Sequence, residues 1–214
     1  MSRERVLLLD HRDSFVYVLA DRIARLGVDV DVVRSSMSLA EWQLSLERVQ
    51  PVLVVLSPGP GHPADAELAR GWLATRPQLP VFGVCLGHQV IGLAAGEQIE
   101  RAAQPVHGEA CEVEWHTQPF ASQQVSLPKR MPVARYHSLL VTRSAESTAL
   151  RTLATARQDG HDIVMAMQHT ELPQIGVQFH PESVLTPHGQ QVLRGVLAWA
   201  RSATASFQRD EVTQ

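Results

Sequence analysis

Only two cysteines, Cys85 and Cys111, occur in the 214 residues, so no disulfide framework can be built and free thiols in a reducing compartment are expected. Long hydrophobic runs are missing as well. No apolar stretch approaches the ~20 residues that a helix needs to cross a bilayer. The opening MSRERVLLLDHRDSF does not follow a signal-peptide pattern, because charges interrupt its apolar run after four residues. A cytoplasmic protein with no membrane association is the resulting expectation. Excess positive charge is absent: a net charge of -3 gives no reason to expect nucleic acid or an anionic membrane as a partner. There is no phosphate loop of the G-x-x-x-x-G-K-[ST] kind, no internal repeat and no long linker. His88, His107, His116, His137 and Cys111 follow no zinc-ligand spacing, so no metal is expected.

What is present is an ordinary globular composition, 44% hydrophobic and 19% charged, long enough for one domain with a sizeable core. The domain is expected over residues 1–201, with a polar, frayed tail over 202–214. Val6–Asp10 reads as a buried strand. Asp13 and Ser14 offer an N-cap to a helix from Phe15 to about Arg25, which Gly27 stops. Strands at Val28–Val33, Val52–Leu56 and Val81–Val84 alternate with helices at Ser38 to about Arg48, Ala64 to about Arg76 and Gly87–Ala95. Four strand–helix units in succession predict an α/β fold, an open and mostly parallel sheet with helices on both faces. Residues 97–170 change character, with candidate strands at Glu109–Trp115, Met131–Arg135 and Ile163–Gln168. They predict a small antiparallel region in the second half. Gln174–Phe179 returns to a buried strand, and Gly189 to about Arg201 is a closing amphipathic helix.

Ligands of open parallel sheets bind at the carboxyl ends of the strands. The segments there are DHRDSF, SPGPG, CLGHQ and HPES. Gly83-Val84-Cys85-Leu86-Gly87 has the Gly-x-Ser-x-Gly spacing of a nucleophile elbow, with cysteine as the nucleophile. A sharp strand-to-helix turn would lift Cys85 above the sheet, and the helix N-terminus behind it would favour a thiolate. A small buried cysteine fits the same spacing. His180 ends an apolar run, and Pro181 stiffens the step to Glu182. A Cys–His pair needs a group that orients the imidazole, and Glu182 is placed for that role. Ser57-Pro58-Gly59-Pro60-Gly61 is a stiff loop that can aim the Gly59 amide at a developing oxyanion, with the Leu86 amide as second donor. Together these pieces describe acyl transfer through a thioester and leave the acyl donor open.

SPGPGHP, GVCLGHQ, RYHSL and GVQFHPESVLTPHG resemble, in order and spacing, the motifs of class I (triad) glutamine amidotransferases, from Val6 to about Arg201. The wording is most similar to the glutaminase subunits of anthranilate synthase and aminodeoxychorismate synthase. The resemblance implies a flavodoxin-like fold and a glutaminase that passes ammonia to a chorismate-converting synthase subunit. Anthranilate synthase of tryptophan biosynthesis is the leading choice. Aminodeoxychorismate synthase of the folate route, a dual-use subunit, and the aminodeoxyisochorismate synthase of phenazine pathways are the alternatives. It further implies that Cys85 attacks L-glutamine, that His180 carries the proton and Glu182 orients it, and that Gly59 and Leu86 form the oxyanion hole. Gln89, Ser138 and Leu139 would bind the amino-acid end of the substrate. No cofactor is implied in this chain; magnesium would belong to the partner synthase. Activity is expected to stay low until that partner orders the oxyanion loop. The sequence departs from the common pattern at His11-Arg12, where Asn-Tyr is frequent, at Val18, where Asn is usual, and at Gly96-Glu97, where Gly-Gly is usual. A cysteine hydrolase on the same scaffold and a degenerate, regulatory amidotransferase are the rival readings.

Overall fold

The computed structural model describes residues 3–102, 107–143 and 147–211. The first half is a run of strand–helix units: β1 (Arg5–Asp10), α1 (Val16–Ala24), β2 (Asp29–Arg34), α2 (Leu39–Val49), β3 (Leu53–Leu56), α3 (Glu67–Ala74), β4 (Val81–Val84) and α4 (Leu86–Ala94). Then come β5 (Gln98–Arg101), β6 (Glu109–Trp115), β7 (Arg130–Arg135), β8 (Leu139–Thr142), β9 (Leu150–Gln158), β10 (His161–His169) and β11 (Gln174–Val177), closed by α5 (Gly189–Glu211). Among the described residues the main sheet has nine strands in the order β2-β1-β3-β4-β11-β10-β9-β6-β7. The first five are parallel and the rest antiparallel. A separate antiparallel pair joins β5 to β8.

The alternation of β1 shows why both faces must be covered. Val6 and Leu8 pack toward α1 and α5, whereas Leu7 and Leu9 pack toward α2, α3 and α4. All four are fully buried. On the second face Trp42 of α2 meets Trp72 of α3 edge to face, with ring centroids 5.3 Å apart. Ser38 starts α2 with a reciprocal capping box to Glu41.

Three local expectations change. Helix α1 begins at Val16 with Phe15 as its cap residue and no side-chain cap. Asp13 instead accepts the Phe15 amide at 2.8 Å, closing a turn just before the helix. The expected helix from Ala64 is split into a 3-10 turn, Pro63–Asp65, and α3. Past Arg201 the chain does not fray at once: α5 runs on to Glu211. Among the described residues no helix is long and apolar enough to cross a membrane.

The order β1-β3-β4-β11 places four loop segments side by side at one edge. They are the segments after Asp10, Leu56, Val84 and Val177, and they carry the sequence motifs.

Candidate active site

Cys85 stands between β4 and α4 with φ 51° and ψ −99°. A non-glycine residue in this region stores strain of about 1–3 kcal/mol, held by its surroundings. The Cys85 amide donates to the Val177 carbonyl at 2.9 Å, and the Cys85 carbonyl accepts from the Gln89 amide at 3.1 Å. The flanking glycines are steric necessities. A Cβ on Gly83 would lie 2.5 Å from the Gly87 carbonyl, and one on Gly87 would lie 2.2 Å from the Leu56 carbonyl oxygen. The elbow therefore presses α4 against the end of β3.

His180 is held by its backbone and by its ring. Its amide donates to the Ala134 carbonyl at 3.1 Å. The Thr186 hydroxyl donates to the His180 carbonyl at 2.7 Å and accepts the Ala134 amide at 3.0 Å. The ring Nδ1 lies 2.6 Å from Glu182 Oε1. A carboxylate accepts, so Nδ1 carries the proton and Nε2 is the nitrogen left to face Cys85. Nε2 is buried and makes no hydrogen bond of full geometry. Burial alone would push the His180 pKa down. The adjacent Cys85 and Glu182, through hydrogen bonding and charge, outweigh it and push the imidazole up to about 10. Tyr136 stands edge-on over the ring, 5.0 Å between centroids, and itself packs toward Phe15 and His107.

Gly59 sits beside Leu86. A Cβ on Gly59 would come within 3.0 Å of Leu86 Cδ2 and within 2.6 Å of His11. Leu86 is the first residue of α4, so its amide is among those with no partner inside the helix.

The model for class I glutamine amidotransferases matches residues 7–198. The chain belongs to that family. Over 196 residues this amidotransferase is 42% identical to "anthranilate synthase component 2, pyocyanine specific" of Pseudomonas aeruginosa, which covers 91% of this chain and 94% of the relative. It is 44% identical over 187 residues to an anthranilate synthase of Azospirillum brasilense, covering 86% of this chain and 24% of that longer protein. Among solved structures, a protein of Thermoplasma acidophilum described as part of a GMP synthase superposes with a TM-score of 0.78 at 20% identity. It spans 98% of this amidotransferase and 99% of its own chain, a likeness of fold.

Gln89 and Leu139 belong to a hydrogen-bonded chain that ends at the Cys85 sulfur, with additions that the motifs alone did not single out. Gln89 Nε2 donates to the Leu139 carbonyl at 3.0 Å and to Gln178 Oε1 at 3.1 Å. Gln178 Nε2 in turn points at Cys85 Sγ, 3.6 Å away. The Leu139 carbonyl also accepts from His137 Nδ1 at 3.1 Å. That tautomer is dictated by Arg135, whose Nε donates to His137 Nε2 at 3.0 Å, because a guanidinium cannot accept. With Gln89 and His137 both bonded to it, the Leu139 carbonyl has both lone pairs engaged. Ser138 is exposed, and its carbonyl accepts the Ala102 amide. Burial pushes His137 down to about 3, reinforced by Arg135 and opposed by the Leu139 carbonyl. Burial likewise pushes His88 down to about 4. Gln178, Arg135, His137 and Thr186 were not among the sequence candidates. A polar residue at the fully buried position 178, inside the apolar run IGVQF, was the one available signal. Among the described residues no group of three or more His, Cys, Asp or Glu side chains could hold a metal ion.

Proposed function

We propose that this chain is the glutaminase subunit of a chorismate-converting synthase, with anthranilate synthase as the first choice. The observation that carries the chemistry is Cys85 at a strained elbow beside His180, whose far nitrogen is fixed by the buried Glu182. The Cys85 thiolate adds to the side-chain amide carbon of glutamine, and the oxyanion develops toward the Gly59 and Leu86 amides. The His180 imidazolium gives its Nε2 proton to the departing nitrogen. Ammonia leaves and a glutamyl thioester remains. His180, now neutral, takes a proton from water as that water attacks the thioester, releasing glutamate and regenerating the thiolate. Gln89, whose NH2 group is committed to Leu139 and Gln178, meets the substrate ammonium through its carbonyl oxygen. Ser138 and the Leu139 main chain serve the same end of the substrate.

Two further observations support a synthase partner. Curated relatives include anthranilate synthase components and a longer anthranilate synthase. The segments around the site also expose apolar side chains, Phe15 with Tyr17 and Val18 in the first turn of α1, and Val184 and Leu185 in the loop before α5. Released ammonia would pass into that partner, where magnesium would help bind chorismate. The test is glutamate release by wild type and Cys85→Ser, alone and with candidate synthase subunits plus chorismate and magnesium. Cys85-dependent release, raised by one partner together with its aminated product, is expected. Silence with every partner sinks the proposal.

A further inference from the structure

His11 stands at a junction that the triad chemistry leaves unused. It follows β1, is 6% exposed, and reaches across to the loop after β3. Its amide donates to Ser57 Oγ at 2.8 Å, and its ring Nδ1 lies 3.2 Å from the Ser57 carbonyl. A carbonyl only accepts, so Nδ1 is the donor. Ser57 is fully buried, and its hydroxyl donates onward to the Pro58 carbonyl at 2.6 Å. The backbone of Gly59 then lies against His11 so closely that an added Cβ would sit 2.6 Å from both His11 Cβ and its carbonyl oxygen. Beyond Gly59, residues 60–62 are exposed. Pro58 and Pro60 fix their own φ angles, so the direction of the Gly59 amide is set from the Ser57 side, where His11 holds the chain.

On its other side His11 belongs to a stiff turn. Asp10 Oδ1 accepts the amides of Arg12 and Asp13 at 2.7 and 3.1 Å, and Arg12 adopts φ 63°. That turn leads directly to the exposed Phe15, Tyr17 and Val18. One buried side chain thus joins the turn that leads to the exposed apolar start of α1 to the backbone of the oxyanion donor.

We propose that His11 is a positioning residue that aligns the Gly59 amide through Ser57 and transmits the posture of the β1–α1 loop to the oxyanion hole. The inference rests on the glutaminase reading above. Its observable consequence is a loss in kcat with little change in glutamine KM, because the oxyanion forms only after substrate is bound.

The test compares His11→Asn with His11→Leu, two side chains of nearly the same shape. The Asn amide nitrogen can occupy the Nδ1 position and donate to the Ser57 carbonyl; Leu cannot. Glutamate release is measured with and without the chorismate-converting subunit that activates wild type most. Alkylation of Cys85 by iodoacetamide and thermal melting are followed in parallel. The Asn variant is expected within about threefold of wild type, and the Leu variant is expected to lose about 10- to 100-fold in kcat. KM and alkylation rate should stay within about twofold in both, and the partner's stimulation should shrink in the Leu variant. Equal kcat for Asn and Leu overturns the inference while leaving the glutaminase reading intact. Parallel loss of kcat and alkylation in the Leu variant also overturns it, because the nucleophile itself would then be disturbed. Absence of Cys85-dependent glutamate release in wild type overturns both readings. Should the Leu variant not melt cooperatively, Ser57→Ala, which removes the hydroxyl that accepts the His11 amide, must show the same kcat-selective loss or the inference falls.

Discussion

Replacing Gln178 by Leu removes an uncharged donor that points at Cys85 Sγ. Its orientation is not arbitrary. Arg135 can only donate to His137, so His137 donates to the Leu139 carbonyl. That carbonyl needs an NH2 from Gln89, which therefore also presents NH2 to Gln178 Oε1. The remaining end of Gln178, its own NH2, must then face Cys85 Sγ at 3.6 Å. With the thiolate of the proposed mechanism as acceptor, such a bond contributes about 1.5–3 kcal/mol, and the length of this one places it at the lower end. A fall of about tenfold in Cys85 alkylation by iodoacetamide at pH 7, and in kcat for glutamate release, is the expected result. Leu also leaves one Gln89 donor without a partner, at a cost of about 1–3 kcal/mol, so melting should drop by several degrees. Side-by-side alkylation kinetics, steady-state glutaminase assays and thermal melts provide the measurement. If melting drops but alkylation and kcat stay within twofold of wild type, Gln178 is a packing residue and the donor argument is wrong.

Glu182→Gln keeps an acceptor for His180 Nδ1 but removes a charge that helps raise the imidazole to about 10. The His180 pKa must fall, so the alkaline limb of the kcat–pH profile, where the proton donor is lost, should move to lower pH, with kcat down about 10- to 1000-fold. An unmoved alkaline limb would show that Glu182 does not govern this proton. Stability should also depend on pH in a direction set by His88 and His137, held down to about 4 and about 3. Below the ordinary 6.5 the unfolded chain takes up protons that these buried rings refuse. Stability is therefore lost as pH falls from about 6.5, by about 1.4 kcal/mol per pH unit for each histidine until its folded pKa is reached. His180, raised instead of lowered, has the opposite sign: its contribution is complete below 6.5 and fades as pH climbs toward 10. Urea denaturation at pH 7, 6 and 5 reads the acid slope; a flat profile over that range would contradict it.

Much of the fold was legible because buried parallel strands are continuous apolar runs and the helices between them carry a 3.6-residue period. Val81–Val84 was located to the residue, and β1 to β4 within one residue at either end. The second half was harder. Gln98–Arg101, Leu139–Thr142 and Leu150–Gln158 were not anticipated. The last of these mixes small, polar and apolar residues because its pairing partners, and not its own pattern, determine its exposure. Asp159-Gly160, with φ 49° and 80°, is the two-residue turn that joins it to β10, a hairpin signal carried by the sequence itself. Strands β10, β9, β6 and β7 also extend the main sheet on the far side of β11, a placement that local pattern does not encode.

The sequence by itself determined the apolar strands that lead to the elbow, and it marked Cys85, His180, Glu182, Gly59 and Leu86 as candidates, because each is set apart by neighbours along the chain: flanking glycines, a following proline, the end of an apolar run. Only the tertiary structure decided what surrounds them. Strand order brings the ends of β1, β3, β4 and β11 together, and with them His11 onto Ser57 and Gln178 onto Cys85. The paired contacts of Arg135, His137 and Gln89 fix which face of Gln178 meets the sulfur. These partners lie from two to 93 residues apart along the chain. Their relation is a matter of hydrogen-bond direction in a buried space, which exists only once the sheet has been assembled.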